Sequence, residues 1–152
     1  MKKLWLVLFL LALLALAACG GAGNPGGAAD APVAEGQAIG KQVAVPGAGS
    51  YTDITVPELQ KMLENKDFLF VNTHVPFEGD IPNTDLSIPY DQVSQNLDKL
   101  PADKDAKIVL YCRSDRMSNI AAKELVQMGF TNIYQLEGGF TEWEQQGLPL
   151  NK

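Results

Sequence analysis

An α/β fold, a small parallel β-sheet with helices on both faces, is the architecture this sequence predicts. Three observations lead there. The segments Phe68–Val71 and Lys107–Tyr111 carry continuous apolar runs of strand length, the pattern of strands buried on both faces. Segments with helical spacing of apolar residues alternate with them, which favours parallel strands joined by crossover helices. The composition, 46% hydrophobic and 20% charged over 152 residues, suits one folded domain and excludes wholesale disorder.

The elements follow in order. Tyr51–Ile54 is a short strand. Thr55-Val56-Pro57-Glu58 resembles a capping box, with Glu three residues after Thr and Pro in the first turn. The helix it opens buries Leu59, Met62 and Leu63. Phe68–Val71 is the next strand, and a loop rich in Pro and Asp runs from Pro76 to Pro89. Tyr90–Leu100 is expected as a helix with Val93, Leu97 and Leu100 inward. After the strand Lys107–Tyr111 and a polar loop, a helix sets Met117, Ile120, Ala121, Leu125 and Met128 on one side. Gly129 ends it. Asn132–Leu136 is a further strand, and Phe140–Gln146 a short closing helix packed through Phe140 and Trp143.

The segment before Tyr51 reads differently. Lys2 and Lys3 precede an unbroken apolar run, Leu4 to Ala18, which ends at Leu16-Ala17-Ala18-Cys19. The run is short of the roughly 20 residues of a membrane-spanning helix. It resembles a bacterial lipoprotein signal, in which the Cys is lipid-modified and becomes the first residue. Residues 1–18 are therefore expected as a signal peptide, and residues 19–50, rich in Gly, Ala and Pro, as lipidated Cys19 and a flexible tether. Within it, Val43–Val45 is a weak edge-strand candidate. Residues 51–150 form the domain. The expected location is the extracytoplasmic side of a bacterial envelope, periplasmic or outer surface, with acyl chains making the membrane contact.

Charge narrows the function. The chain holds 12 Lys+Arg against 18 Asp+Glu, a formal −6; nucleic-acid-binding domains are normally basic. Two Cys and one His are too few for a disulfide scaffold or a zinc site. With Cys19 lipidated, Cys112 is the one free thiol, and in an oxidising compartment that invites a chemical role.

The informative stretch is Tyr111-Cys112-Arg113-Ser114-Asp115-Arg116-Met117-Ser118. Cys112 follows a buried strand and precedes a helix, at the carboxyl edge of the sheet where ligands of open α/β folds bind. A tight loop there, with a helix N-terminus, turns backbone N–H groups toward one point and makes an anion site. Cysteines at helix N-termini beside Arg ionise more readily than free ones. Arg113 and Arg116 bring fixed positive charge. The competing reading, a small buried hydrophobe, sits poorly with two Arg and a polar loop.

Those residues resemble the active loop of rhodanese-type sulfurtransferases, in which six residues beginning with a nucleophilic Cys curl round the sulfur. Here they are Cys112 to Met117, followed by Ser118. Phe70-Val71-Asn72-Thr73-His74, Glu78-Gly79-Asp80-Ile81-Pro82 and Gly138-Gly139-Phe140-Thr141-Glu142-Trp143 through Gly147-Leu148-Pro149 resemble further family segments. The resemblance covers about 100 residues, Tyr51 to Leu150, the size of a single-domain member. It implies a rhodanese-like fold and sulfane sulfur passed through a Cys112 persulfide. The donor would be a small anion such as thiosulfate, the acceptor a thiol or cyanide. No metal, organic cofactor or nucleic acid is implied, and a monomer is expected. Arg113, Ser114, Asp115, Arg116, Met117 and Ser118 become substrate-binding candidates, and His74 an accessory one that positions an anion or simply bonds its own loop. Asp115 stands where the family often has Gly, Asn72 and His74 where it has Asp and Arg, and Asp80 where it has His. Asp115 is expected to add negative charge beside the sulfur. A phosphatase on this fold would want Arg as the seventh residue of the loop; here the seventh is Ser118. A low-turnover sulfur-relay or partner-binding module on the membrane is the remaining alternative.

Overall fold

A computed structural model describes residues 39–152. The proposed signal segment, Cys19 and the tether through residue 38 lie outside the described residues. Six strands form one sheet: β1 (Lys41–Val45), β2 (Gly49–Ile54), β3 (Leu69–Asn72), β4 (Leu86–Ser87), β5 (Ile108–Tyr111) and β6 (Ile133–Leu136). Their spatial order is β1-β2-β6-β5-β3-β4. β1 runs antiparallel to β2, and the other pairings are parallel. The helices are α1 (Val56–Glu64), α2 (Arg116–Gln127) and α3 (Gly139–Gln145), with a 3₁₀ helix at Val93–Lys99.

The continuous apolar runs mark a sheet covered on both sides, and successive side chains of β5 show it. Ile108 and Leu110 enter a core shared with Ala121, Ala122 and Leu125 of α2. Val109 and Tyr111 enter the opposite core, with Leu59 of α1 and Phe140 and Trp143 of α3. The period of two in a strand sends alternate residues to opposite faces, so one strand of four apolar residues feeds both cores.

The folded domain begins before Tyr51. Residues 41–50, expected within the tether, form β1 and the start of a hairpin. The edge strand expected at Val43–Val45 is there, lengthened to Lys41–Val45: Val45 is buried and Val43 packs on the α2-side core, so the segment has enough apolar surface once β2 offers its free edge. The start of β1 is fixed by α1. Glu58 reaches back over the first turn, accepting the Thr55 N–H at 2.7 Å and the Gly40 N–H at 2.8 Å. The expected helix at Tyr90–Leu100 is a shorter 3₁₀ helix kinked at Asn96, and Leu97 is exposed rather than inward. With three residues per turn, Val93 cannot share a face with Leu97 as it would in an α-helix. On α2 the buried positions are Ser118, Ala121, Ala122, Leu125 and Val126, while Ile120 faces out. The buried stripe is rotated from the expected one because Ser118, not Met117, begins it. The Pro-rich loop contains β4, and among the described residues no helix is long and apolar enough to cross a membrane.

Burial pushes the Glu58 carboxyl up, but the bonds from Thr55 and Gly40 outweigh it and hold it below its ordinary 4.5. A carboxylate with a lowered folded-state pKa contributes stability above its unfolded value and loses it as pH falls. Glu58→Ala is therefore expected to cost about 1 kcal/mol at neutral pH. The gap from wild type should shrink below about pH 4. Thermal unfolding at several pH values checks both.

Candidate active site

β5 lies between β6 and β3 in the sheet, and the chain leaves its carboxyl end at Cys112 to enter α2 at Arg116. The loop is gripped from outside by α3. Phe140 donates its N–H to the Cys112 carbonyl, and Thr141 to the Arg113 carbonyl, both at 2.9 Å. The first N–H groups of a helix lack partners within it, and here the loop supplies them. Each peptide is planar and trans, so its N–H points opposite its C=O. The N–H groups of Arg113 and Ser114 are therefore directed away from α3 and left for a ligand.

This approach explains the Gly138-Gly139 pair. Both residues have positive φ, 74° and 55°. A Cβ on Gly139 would stand 2.3 Å from the Cys112 carbonyl oxygen.

Cys112 is 1% exposed. It lines a cavity of about 160 Å³ together with His74, Arg113, Ser114, Arg116 and Met117. The thiol is recessed, and the cavity gives access to it. Ser118, wholly buried at the first turn of α2, directs its hydroxyl at the sulfur, 3.4 Å away, with the Asp115 carbonyl as a second acceptor at 3.2 Å. Gln135 donates its amide to the Ser118 oxygen at 3.2 Å. That bond occupies a lone pair of the hydroxyl and leaves its proton for the sulfur or the Asp115 carbonyl. Gln135 was not among the sequence candidates. Its signal was a polar residue inside the apolar strand β6, since a buried amide requires partners.

The Asp115 carboxylate is tied down: one oxygen accepts the Gly138 N–H at 2.7 Å and the Gln135 amide at 3.2 Å. The φ of Asp115 is −145°, so the position needs no glycine. Asp115 ties the Cys loop to the turn that starts α3. Arg113 and Ser114 are exposed, as is Arg116. Arg116 has no ion pair among the described residues and lines the cavity.

The segment after β3 is sewn to the end of β5. Thr73 donates both its N–H, at 2.8 Å, and its hydroxyl, at 2.9 Å, to the Tyr111 carbonyl. Asn72, buried, donates to the Gly79 carbonyl and to Asp80 and accepts the His74 N–H. The Tyr111 hydroxyl takes the Ile81 N–H at 3.1 Å and bonds Thr84 and Asp80. Burial pushes this phenol well above its ordinary range, so it stays a neutral hydrogen-bonding hub. These bonds carry His74 to the cavity, where its side chain is 6% exposed. Its ring meets Phe140 edge-on at 5.3 Å. Neither ring nitrogen has a hydrogen-bond partner among the described residues. Glu78 Oε1 lies 3.4 Å from His74 Nε2 and 3.3 Å from Arg113 Nη1. The first is an ion-pair distance without hydrogen-bond alignment.

Fold and site together define an α/β domain built round one recessed cysteine at a strand–loop–helix junction. The model of the rhodanese-like domain matches residues 55–146, and the chain belongs to that family. A sulfurtransferase from Allochromatium vinosum is 33% identical over 94 residues, covering 60% of this chain and 85% of its own. A tRNA uridine(34) hydroxylase from Erwinia tasmaniensis is 32% identical over 112 residues, covering 67% of this chain but only 31% of its own length. Among solved structures, a rhodanese-related protein from Thermoplasma volcanium superposes with a TM-score of 0.55 at 27% identity, over 64% of this chain and 95% of that one.

Substitutions at two positions test the loop. Asp115→Ala removes the acceptor for Gly138 and Gln135 and should lower stability by about 1.5–3 kcal/mol, whereas Asp115→Asn, which keeps an oxygen there, should lose less. Gly139→Ala should cost about 2 kcal/mol or more, through overpacking against the Cys112 carbonyl and forced positive φ. Denaturant unfolding of the variants measures both.

Proposed function

We propose that the protein is a thiosulfate-type sulfurtransferase that carries sulfane sulfur as a persulfide on Cys112. The observation that carries this reading is the Ser118 hydroxyl directed at the Cys112 sulfur, 3.4 Å away, in a loop whose first two carbonyls are turned outward to α3. Such a loop offers donors to an anion on the sulfur and few acceptors against it.

In this mechanism the Cys112 thiolate attacks the outer sulfur of thiosulfate. The bond between the two thiosulfate sulfurs breaks, and sulfite leaves with its electron pair. Arg113 and Arg116 draw the anionic donor to the cavity. The persulfide is the covalent intermediate of a double displacement, and its outer sulfur then passes to a thiol or cyanide. No metal or organic cofactor enters a step. The sulfurtransferase relative supports this choice of chemistry. In the same reading the chain works at the bacterial envelope, held by lipid on Cys19; the support is the apolar run that ends at Leu-Ala-Ala-Cys.

Intact mass of the purified protein after thiosulfate treatment is the test. Wild type is expected to gain one sulfur atom that cyanide removes, and Cys112→Ser to gain none. Thiosulfate-dependent sulfur transfer that survives Cys112→Ser would overturn the reading.

A further inference from the structure

We propose that His74, at ion-pair distance from Glu78, is the proton acceptor for an incoming thiol that collects the sulfur; this deepens the persulfide reading above and rests on it. His74 lines the same small cavity as Cys112. Its imidazole is 6% exposed, and neither ring nitrogen is bonded to protein among the described residues. A buried polar group without a partner calls for one, and this one stands in the wall of the space a substrate must enter. Behind it, Glu78 Oε1 is 3.4 Å from Nε2. An imidazole backed by a carboxylate is the arrangement that takes up a proton and stabilises the cation that results.

The surrounding charges favour this role over a plain anion site. Arg113 and Arg116 already supply fixed positive charge at the cavity. Glu78 is shared, its Oε1 also 3.3 Å from Arg113 Nη1, and from α3 the apolar ring of Phe140 meets the imidazole in a T-shaped contact. The charged or titratable groups facing the imidazole are thus Glu78, Arg113, Arg116 and Cys112. A thiol, with a pKa of about 8.5, arrives mostly protonated at neutral pH, yet only the thiolate is a nucleophile. His74 takes the proton from R–SH. The R–S⁻ sulfur then bonds the outer sulfur of the Cys112 persulfide as the old S–S bond breaks. Cys112 thiolate, the R–S–S⁻ product and protonated His74 result, and the proton leaves to solvent.

The test separates the two half-reactions. Wild type, His74→Gln and His74→Ala are loaded with thiosulfate and checked by intact mass for the persulfide. The loaded proteins are then mixed with dithiothreitol, or with sulfite, which has no proton to give up at pH 8. The expected result is normal loading and normal transfer to sulfite, with transfer to dithiothreitol slowed about 10²-fold in both variants. In the variants the dithiothreitol rate should rise about tenfold per pH unit up to the thiol pKa, while wild type rises less steeply. Unchanged thiol transfer in loaded variants overturns the proposal, as does equal slowing with sulfite and dithiothreitol. Failure of wild type to load overturns the persulfide reading itself, a different outcome from either.

Discussion

The carbonyl groups of Cys112 and Arg113 accept the N–H groups of Phe140 and Thr141, and the site depends on this clamp. The two bonds orient the first two peptides of the loop, so the N–H groups that follow are released from the protein's own hydrogen bonding. They also satisfy the start of α3, a helix of seven residues too short to be stable alone. Phe140 and Trp143 then hold α3 on the sheet, and the Trp143 indole donates to the Pro149 carbonyl at 2.9 Å. The closing segment through Gly147-Leu148-Pro149 is thus part of the loop's support, though none of its residues lines the cavity.

The same loop shows how an acidic protein keeps its carboxylates engaged around the cysteine cavity. The chain carries a formal −6, and two carboxylates lie close to the loop. Asp115 is occupied by a backbone N–H and the Gln135 amide, and Glu78 by Arg113 and His74. A carboxylate that already accepts hydrogen bonds or faces a cation repels an approaching anion less than a bare one. Local pairing, rather than net charge, sets the field at the sulfur.

The fold was legible where pattern is strong. β3, β5, β6, α1 and α2 fall within a residue or two of the expected bounds, because buried strands and amphipathic helices write their period directly into the chain. The hairpin before Tyr51 was legible only in part: Val43–Val45 marks an edge strand, and β1 is there, but Gly47 and Gly49 give no period, and only the free edge of β2 makes the pairing worthwhile. The 3₁₀ helix reads as α-helical in the sequence because Val93, Leu97 and Leu100 stand four and three residues apart, the spacing of an α-helical face. At the site, the cysteine, its loop and the Gly-Gly segment were visible as local motifs. The direction of the Asp115 carboxylate was not, because its partners come from β6 and the turn before α3. The meeting of His74 with Glu78 and Arg113 depends on the path of a loop, which no periodicity encodes.

Depth and width of the cavity bear on what kind of group can be moved. Cys112 is almost wholly covered and reached through about 160 Å³ of space, enough for a small anion or the end of a thiol side chain. A phosphoryl group needs its three oxygens gripped by a longer loop that ends in a forked guanidinium. Here the seventh position holds Ser118, a single short donor on the sulfur itself. A donor aimed at the sulfur rather than at oxygens beyond it stabilises charge on sulfur, which suits transfer of one sulfur atom. In the proposed chemistry the same enclosure limits water at the persulfide and strengthens each hydrogen bond to it, so a recessed thiol is an advantage to that reading.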